Sequence, residues 1–213
     1  MLARQCQVPV VVGIDRPAAV SALLGEHASC DIVISDDGLQ HYRLARDVEI
    51  AVVDGSRYFG NGYLLPSGPL REPRSRLNSV DFVIVNDGVI DDAYEMRMVS
   101  QACVPLLPQS HSDGDDALKS GIVHAVAGIG NPERFFRSLR LSGYTIIEHI
   151  FPDHHPFSKF DLDFGDDLSI IMTEKDAVKC MSIASNRMWY LPILAELDSR
   201  LLDGLRMKLQ GIK

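Results

Sequence analysis

Three apolar runs in this chain stop at the same kind of punctuation. Asp31-Ile32-Val33-Ile34-Ser35 stops at Asp36-Asp37-Gly38, the run from Val48 to Val53 at Asp54-Gly55, and the run from Val80 to Val85 at Asn86-Asp87-Gly88. An earlier short run, Val8-Pro9-Val10-Val11-Val12, stops at Gly13. Continuous apolar strands are those covered on both faces, the habit of a parallel sheet inside an α/β fold. Ligands of such sheets bind just beyond the carboxyl ends of the strands, where these small polar residues fall. Arg16 to Leu24 supplies a helical spacing between the first two runs, with Pro17 well placed in a first turn.

A second α/β unit follows. Pro108 to Ser120 is polar and predicts a linker at 109–120 between a first domain at 1–108 and a C-terminal lobe at 121–213. In the lobe, Val123 to Val126, Tyr144 to Ile150 and Ser169 to Met172 read as strands, and Trp189-Tyr190-Leu191 as a short one. Glu133 to Leu141 reads as a helix, and Leu194 to Leu209 as an amphipathic final helix.

Composition removes several function classes. The formal charge is 21 − 29 = −8, so the molecule as a whole repels a nucleic-acid backbone and is not a generic nucleic-acid binder. No apolar run approaches the roughly 18 residues that cross a bilayer. Met1-Leu2-Ala3-Arg4-Gln5 has no cationic stretch followed by an apolar one, so it is not a secretory signal; it reads as the inside of a helix, and further chain upstream is expected. Cys6, Cys30, Cys103 and Cys180 are widely spaced and read as reduced thiols.

The chemistry concentrates in a few clusters. A strand ending in Asp36-Asp37 is what a nucleotide enzyme uses to hold Mg²⁺, a hard ion that prefers oxygen and stays partly hydrated. The competing reading is a helix cap. Gln40-His41-Tyr42-Arg43 follows within reach of the same turn and could serve substrate or phosphate. From Arg43 to Arg76 there are six Arg, no Lys and four acids, a net +2 inside an acidic protein. The Arg fork matches phosphate and carboxylate, although paired arginines in a solvated loop would look the same. Phe151-Pro152-Asp153-His154-His155-Pro156-Phe157 suits metal ligation or a carboxylate-oriented general base. Gly128-Ile129-Gly130 before a helix could cradle phosphate or simply enter the helix. Thr173-Glu174-Lys175-Asp176 could bind a ligand or cap a helix. His27, His111, His124 and His149 stand isolated and read as structural or surface residues. No G-x-x-x-x-G-K-[ST] occurs anywhere in the chain.

In order and spacing, Ser35-Asp36-Asp37-Gly38-Leu39-Gln40-His41-Tyr42-Arg43-Leu44, Asp47-Val48-Glu49-Ile50, Asp54-Gly55, Leu64-Leu65-Pro66-Ser67-Gly68-Pro69-Leu70-Arg71-Glu72-Pro73, Val85-Asn86-Asp87-Gly88, Phe151-Pro152-Asp153-His154-His155 and Thr173-Glu174-Lys175-Asp176-Ala177-Val178-Lys179 resemble the tetraacyldisaccharide 4′-kinases of the lipid A pathway. The resemblance runs over essentially the whole chain. It implies a P-loop-kinase-like parallel sheet, incomplete at the N-terminus, with a smaller α/β C-terminal lobe. It implies transfer of the ATP γ-phosphate to the 4′-hydroxyl of an acylated glucosamine disaccharide 1-phosphate, at the cytoplasmic face of the bacterial inner membrane. On this likeness Asp36 and Asp37 are the Walker B carboxylates near Mg²⁺, with Asp37 also catalytic. His154 assists a catalytic aspartate, with His155 as the fallback. Gln40, His41, Arg43 and Arg71 face the substrate or its phosphates. The family's Walker A loop, its G-D-E-P-like segment and its membrane-associating helix lie upstream of the part matched, so the isolated chain is expected to have little or no kinase activity.

Two other classes compete. Asp153-His154-His155 also fits a DHH-type metal phosphoesterase, with Asp161-x-Asp163 as the nearest further ligands. The arginine segment alone fits a non-catalytic module that binds anionic lipid. The kinase reading further requires that the twin acids and the paired imidazoles face a common cleft.

Overall fold

The computed structural model describes residues 3, 6–107, 118 and 121–212. Nearly all of the expected linker at 109–120, and Met1–Gln5 apart from Ala3, lie outside the described residues. In chain order the elements are helix α1 (Arg16–Glu26), strands β1 (Ile50–Asp54), β2 (Phe82–Asn86), β3 (Tyr94–Ser100), β4 (Val104–Pro105) and β5 (Ile122–Ala127), helix α2 (Pro132–Leu141), strands β6 (Thr145–Ile150) and β7 (Ser169–Thr173), helix α3 (Glu174–Cys180), strands β8 (Met188–Leu191) and β9 (Ile193–Leu197), and helix α4 (Ser199–Gln210). They form two compact units, Leu2–Met98 with Ala195–Lys213, and Val99–Leu194.

The first unit is built on a sheet of order β1-β2-β3-β9. β1 and β2 are parallel, as are β2 and β3, and Asp54 lies opposite Asn86, so two of the polar strand ends sit side by side. Phe82, Ile84 and the α4 residue Leu201 form its buried core with Val48, Tyr94, Met96 and Leu205 packed around them. Because α4 packs here, the chain's last residues belong with the first sheet, whereas the sequence groups them with the C-terminal lobe. The expected single helix from Leu194 resolves into β9 and α4, separated by Asp198, whose carboxylate accepts the Arg200 N–H as N-cap. β3 was not legible as an apolar run, since Tyr94-Glu95-Met96-Arg97-Met98 alternates and only one side of it is apolar.

Two expected strands are absent. Val8–Val12 and Asp31–Ser35 form no regular element and have no ladder partner among the described residues. Their side chains are open, with Val12 and Ile34 each 90% exposed. β1 likewise buries Ala51 and Val53 and leaves Ile50 and Val52 exposed, so only one of its faces is covered.

The second unit carries the order β4-β8-β7-β5-β6, with β5 parallel to β6 and β7, β7 parallel to β8, and β4 antiparallel at the edge. Here both faces are covered, as continuous apolar runs predict. Val123, Ala125 and Ile171 pack on one side with Phe135, Phe136 and Leu139 of the amphipathic α2. Val126, Ile170 and Met172 pack on the other with Ala177 and Cys180 of α3.

Candidate functional site

The turn after residues 31–35 is shaped by its sequence. Asp37 has φ of 49°, in the left-handed region that Asp tolerates better than most residues. The Gly38 carbonyl accepts both the His41 N–H and Arg46 Nη1, which also reaches the Leu39 carbonyl. The twin acids are therefore displayed at a tied turn, both exposed.

Arg71 comes back to this turn from the Gly- and Pro-rich segment. Its Nη1 donates to both oxygens of Asp37, at 2.8 and 2.9 Å, and to Gln40 Oε1 at 3.2 Å. That contact holds the Asp37 carboxyl below its ordinary value, against a smaller opposing effect of burial. Three residues singled out from the sequence, Asp37, Gln40 and Arg71, thus form one cluster. Asp36, the neighbouring residue of the same turn, contributes its carbonyl to Arg16 Nη2 at 3.4 Å. Gln40, His41 and Arg43 line a cavity of about 250 Å³ with Ile14, Asp15, Arg16, Pro17 and Tyr42. Arg16 Nε is buried there without a hydrogen-bond partner. Arg43 stays at the rim, 3.7 Å from the α1 N-cap residue Asp15.

The residue that sequence reasoning missed is Glu72. Its two oxygens accept from Gln40 Nε2 at 2.6 Å and the Tyr42 hydroxyl at 2.7 Å, and Arg76 Nε lies 3.2 Å away. The Tyr42 hydroxyl first, then Gln40, hold the Glu72 carboxyl below its ordinary value. Arg76 continues to Glu49, which also takes Arg46. The arginine segment is therefore a bonded lattice that fixes Arg71 and Gln40, and only part of it is free to meet a ligand. One signal was available: Glu72 follows Arg71 directly and is the only acid between Asp54 and Asp81.

His154 lies in the other unit, just past β6. Its side chain is 76% exposed and its φ is 62°. Asp153 Oδ1 accepts the His154 backbone N–H at 3.0 Å, and Asp153 Oδ2 is 3.8 Å from Nε2. His155 differs. It is packed between Phe151 and Phe157, with centroids 4.8 and 4.9 Å away, and Nε2 is 3.5 Å from Asp161. Only the first imidazole is presented to solvent.

Two readings that the sequence left open are decided, and a third changes. The Gly128 N–H is not open to a phosphate, because it donates to Asp176 Oδ2 at 2.8 Å. Asp176, fully buried, also accepts the Thr173 hydroxyl and pairs with Lys179 at 2.7 Å, which makes Thr173-Glu174-Lys175-Asp176 a helix cap. His124 and His149 are not isolated. His124 Nδ1 is 2.8 Å from His149 Nε2, while His124 Nε2 is 3.1 Å from each oxygen of Asp166, and both imidazoles lie against the Phe164 ring. Among the described residues no group of three or more His, Cys, Asp or Glu is placed to hold a metal ion by itself.

Comparison with known proteins gives a consistent result. The family model for tetraacyldisaccharide-1-P 4′-kinase matches residues 1–210. The tetraacyldisaccharide 4′-kinase of Legionella pneumophila (strain Corby) is 47% identical over 213 residues, covering 99% of this chain and 65% of that protein. That of Halorhodospira halophila is 50% identical over 201 residues, covering 92% of this chain and 59% of its own length. The chain thus spans less than two thirds of these curated relatives. Among solved structures, LpxK from Aquifex aeolicus in complex with ATP matches with a TM-score of 0.68 at 24% identity, covering 91% of this chain and 62% of that one, and shows the fold.

Proposed function

The chain belongs to the tetraacyldisaccharide-1-P 4′-kinase family, and from that premise we propose that it carries part of the machinery that moves the ATP γ-phosphate to the 4′-hydroxyl of a tetraacylated glucosamine disaccharide 1-phosphate. The observation that supports this most directly is the Asp37–Arg71–Gln40 cluster at an exposed turn. A guanidinium already presented to an anion there can grip a phosphate equally well. Gln40, His41 and Arg43, lining one cavity with Arg16, are the polar groups suited to phosphate or sugar.

The donor set fits Mg²⁺, which takes one or two carboxylates, keeps several waters and shares substrate phosphates. Asp36 and Asp37 are the residues that would hold it, and the ion would neutralise charge on the transferring phosphate. Arg71 already balances one of those carboxylates with a cation. His154, open to solvent and held by Asp153, is suited to help take the proton of the acceptor hydroxyl. An acylated acceptor places the reaction at a membrane surface, which we take to be the cytoplasmic face of the inner membrane, with peripheral association. No helix among the described residues is long and apolar enough to cross a membrane.

The test is a chimera in which this chain replaces the matching stretch of the Legionella enzyme. It should transfer labelled phosphate from ATP to the disaccharide. Asp37→Asn, Arg71→Lys and His154→Ala should each lower turnover by roughly a hundredfold or more. Normal turnover in the Asp37 or His154 variant overturns the role given to that residue. A chimera that binds the lipid and transfers nothing favours an anionic-lipid-binding module. Hydrolysis of phosphodiesters with Mn²⁺ favours the phosphoesterase.

A further inference from the structure

Asp153 does not hold His154 alone. Lys175 Nζ lies 3.2 Å from the same Oδ1 that accepts the His154 backbone N–H. Lys175 is the second residue of α3, and the start of that helix is immobilised: Thr173 and Asp176 exchange hydrogen bonds, and buried Asp176 holds the Gly128 N–H. The same helix grips the far side of the segment through Lys179, whose Nζ sits 5.6 Å from the centre of the Phe157 ring. α3 therefore fastens Phe151–Phe157 near both of its ends.

Stability does not account for the Lys175–Asp153 pair. Both side chains are 45% exposed, and ion pairs of that kind contribute little to folding. What the pair does fix is local: a rigid helix start, then Lys175, then one carboxylate, then the backbone of His154 at a left-handed φ, with its ring 3.8 Å from the same carboxylate. We propose that Lys175 is a positioning residue for His154, acting through Asp153, which it holds in place and whose charge it balances. This rests on the assignment of His154 to the site. Without Lys175 the Asp153 carboxylate is free to rotate off the His154 N–H, and the imidazole faces an unbalanced anion.

The Lys175 ammonium is the chief reason that the Asp153 carboxyl titrates below its ordinary value, so its removal has a direct spectroscopic signature. The experiment compares the chain with Lys175→Met, Lys175→Arg, Asp153→Asn and the Lys175→Met/Asp153→Asn double variant by NMR. It follows the Asp153 carboxyl carbon through an acid titration and the His154 amide at neutral pH. Lys175→Met should move the Asp153 midpoint upward and shift the His154 amide, with the thermal midpoint of unfolding unchanged. Lys175→Arg should restore both signals. In the double variant the His154 amide should move no further than in Asp153→Asn alone. An unmoved carboxyl midpoint or amide in Lys175→Met, or a failure of Lys175→Arg to restore them, overturns the proposal. Turnover is a separate measurement: a wild-type chimera without phosphotransfer counts against the kinase reading, and the spectra still decide Lys175.

Discussion

Gly68 has no room for a methyl group. A Cβ built there would run into Asn61 Oδ1 and the Tyr63 carbonyl, and Asn61 is itself tied to the Ser67 carbonyl and the Tyr63 N–H. The turn is closed by Leu65 N–H to the Leu70 carbonyl at 2.8 Å and Leu70 N–H to the Tyr63 carbonyl at 3.2 Å, immediately before Arg71. Gly68→Ala should therefore cost about 1–3 kcal/mol locally and loosen Arg71 from Asp37. Faster hydrogen exchange at the Leu65 and Leu70 amides would show the first effect, and a rise in the Asp37 titration midpoint the second. At this scale the sequence was informative where the chemistry is local. Asp36-Asp37-Gly38 read as the turn closing a buried strand; the turn is there, but Ile32, Val33 and Ile34 before it are exposed and join no ladder among the described residues. Glu72 was counted as one counter-ion among four, because its partners Gln40 and Tyr42 lie about 30 residues away and meet it only once the loop is closed.

β7 and α3 show the same distinction between elements. Ser169–Thr173 is buried and its run ends in a threonine that caps the next helix; the strand could be read in advance, whereas the residues after it fitted a ligand site as well as a cap. The role of Asp176 could not, since its partner Gly128 belongs to a neighbouring strand's end 48 residues away. An amide in its place keeps one oxygen for the Gly128 N–H but turns an NH2 group toward the Lys179 ammonium. Asp176→Asn should lower stability by about 2–4 kcal/mol, read as a fall in the urea midpoint of Trp189 fluorescence. Val8–Val12 and Asp31–Ser35 mark the opposite limit. Apolar runs report a tendency to pair, but a strand exists only when a neighbour supplies the ladder, and none does so among the described residues. The His124–His149 contact was invisible for a related reason, as it depends on the register of β5 against β6.

For the whole molecule, acid should act in two stages. Burial, and then the neighbouring His124, push His149 below its ordinary value. The unfolded chain therefore binds that proton more readily, and the stability linked to His149 is complete above about pH 6.5. It is lost as pH falls through the lower folded value. Asp37, Glu72 and Asp166 are also held below their ordinary values, so their contribution persists to lower pH and is lost as pH falls through their folded values. Trp189, the one tryptophan, is buried in the β8 strand of the unit that holds His149. Its urea midpoint should fall between pH 7.5 and pH 5.5, and His149→Gln should flatten that first step; an equally steep step in the variant would assign it elsewhere.

The bare valines and isoleucines near Gly13 and Ser35 have a practical corollary for anyone handling the protein. Stretches with no ladder partner among the described residues, flanked by greasy side chains, invite a second copy to zip alongside. Crowding the solution or salting it out should thus provoke haze well before heat does, and detergent micelles should clear it.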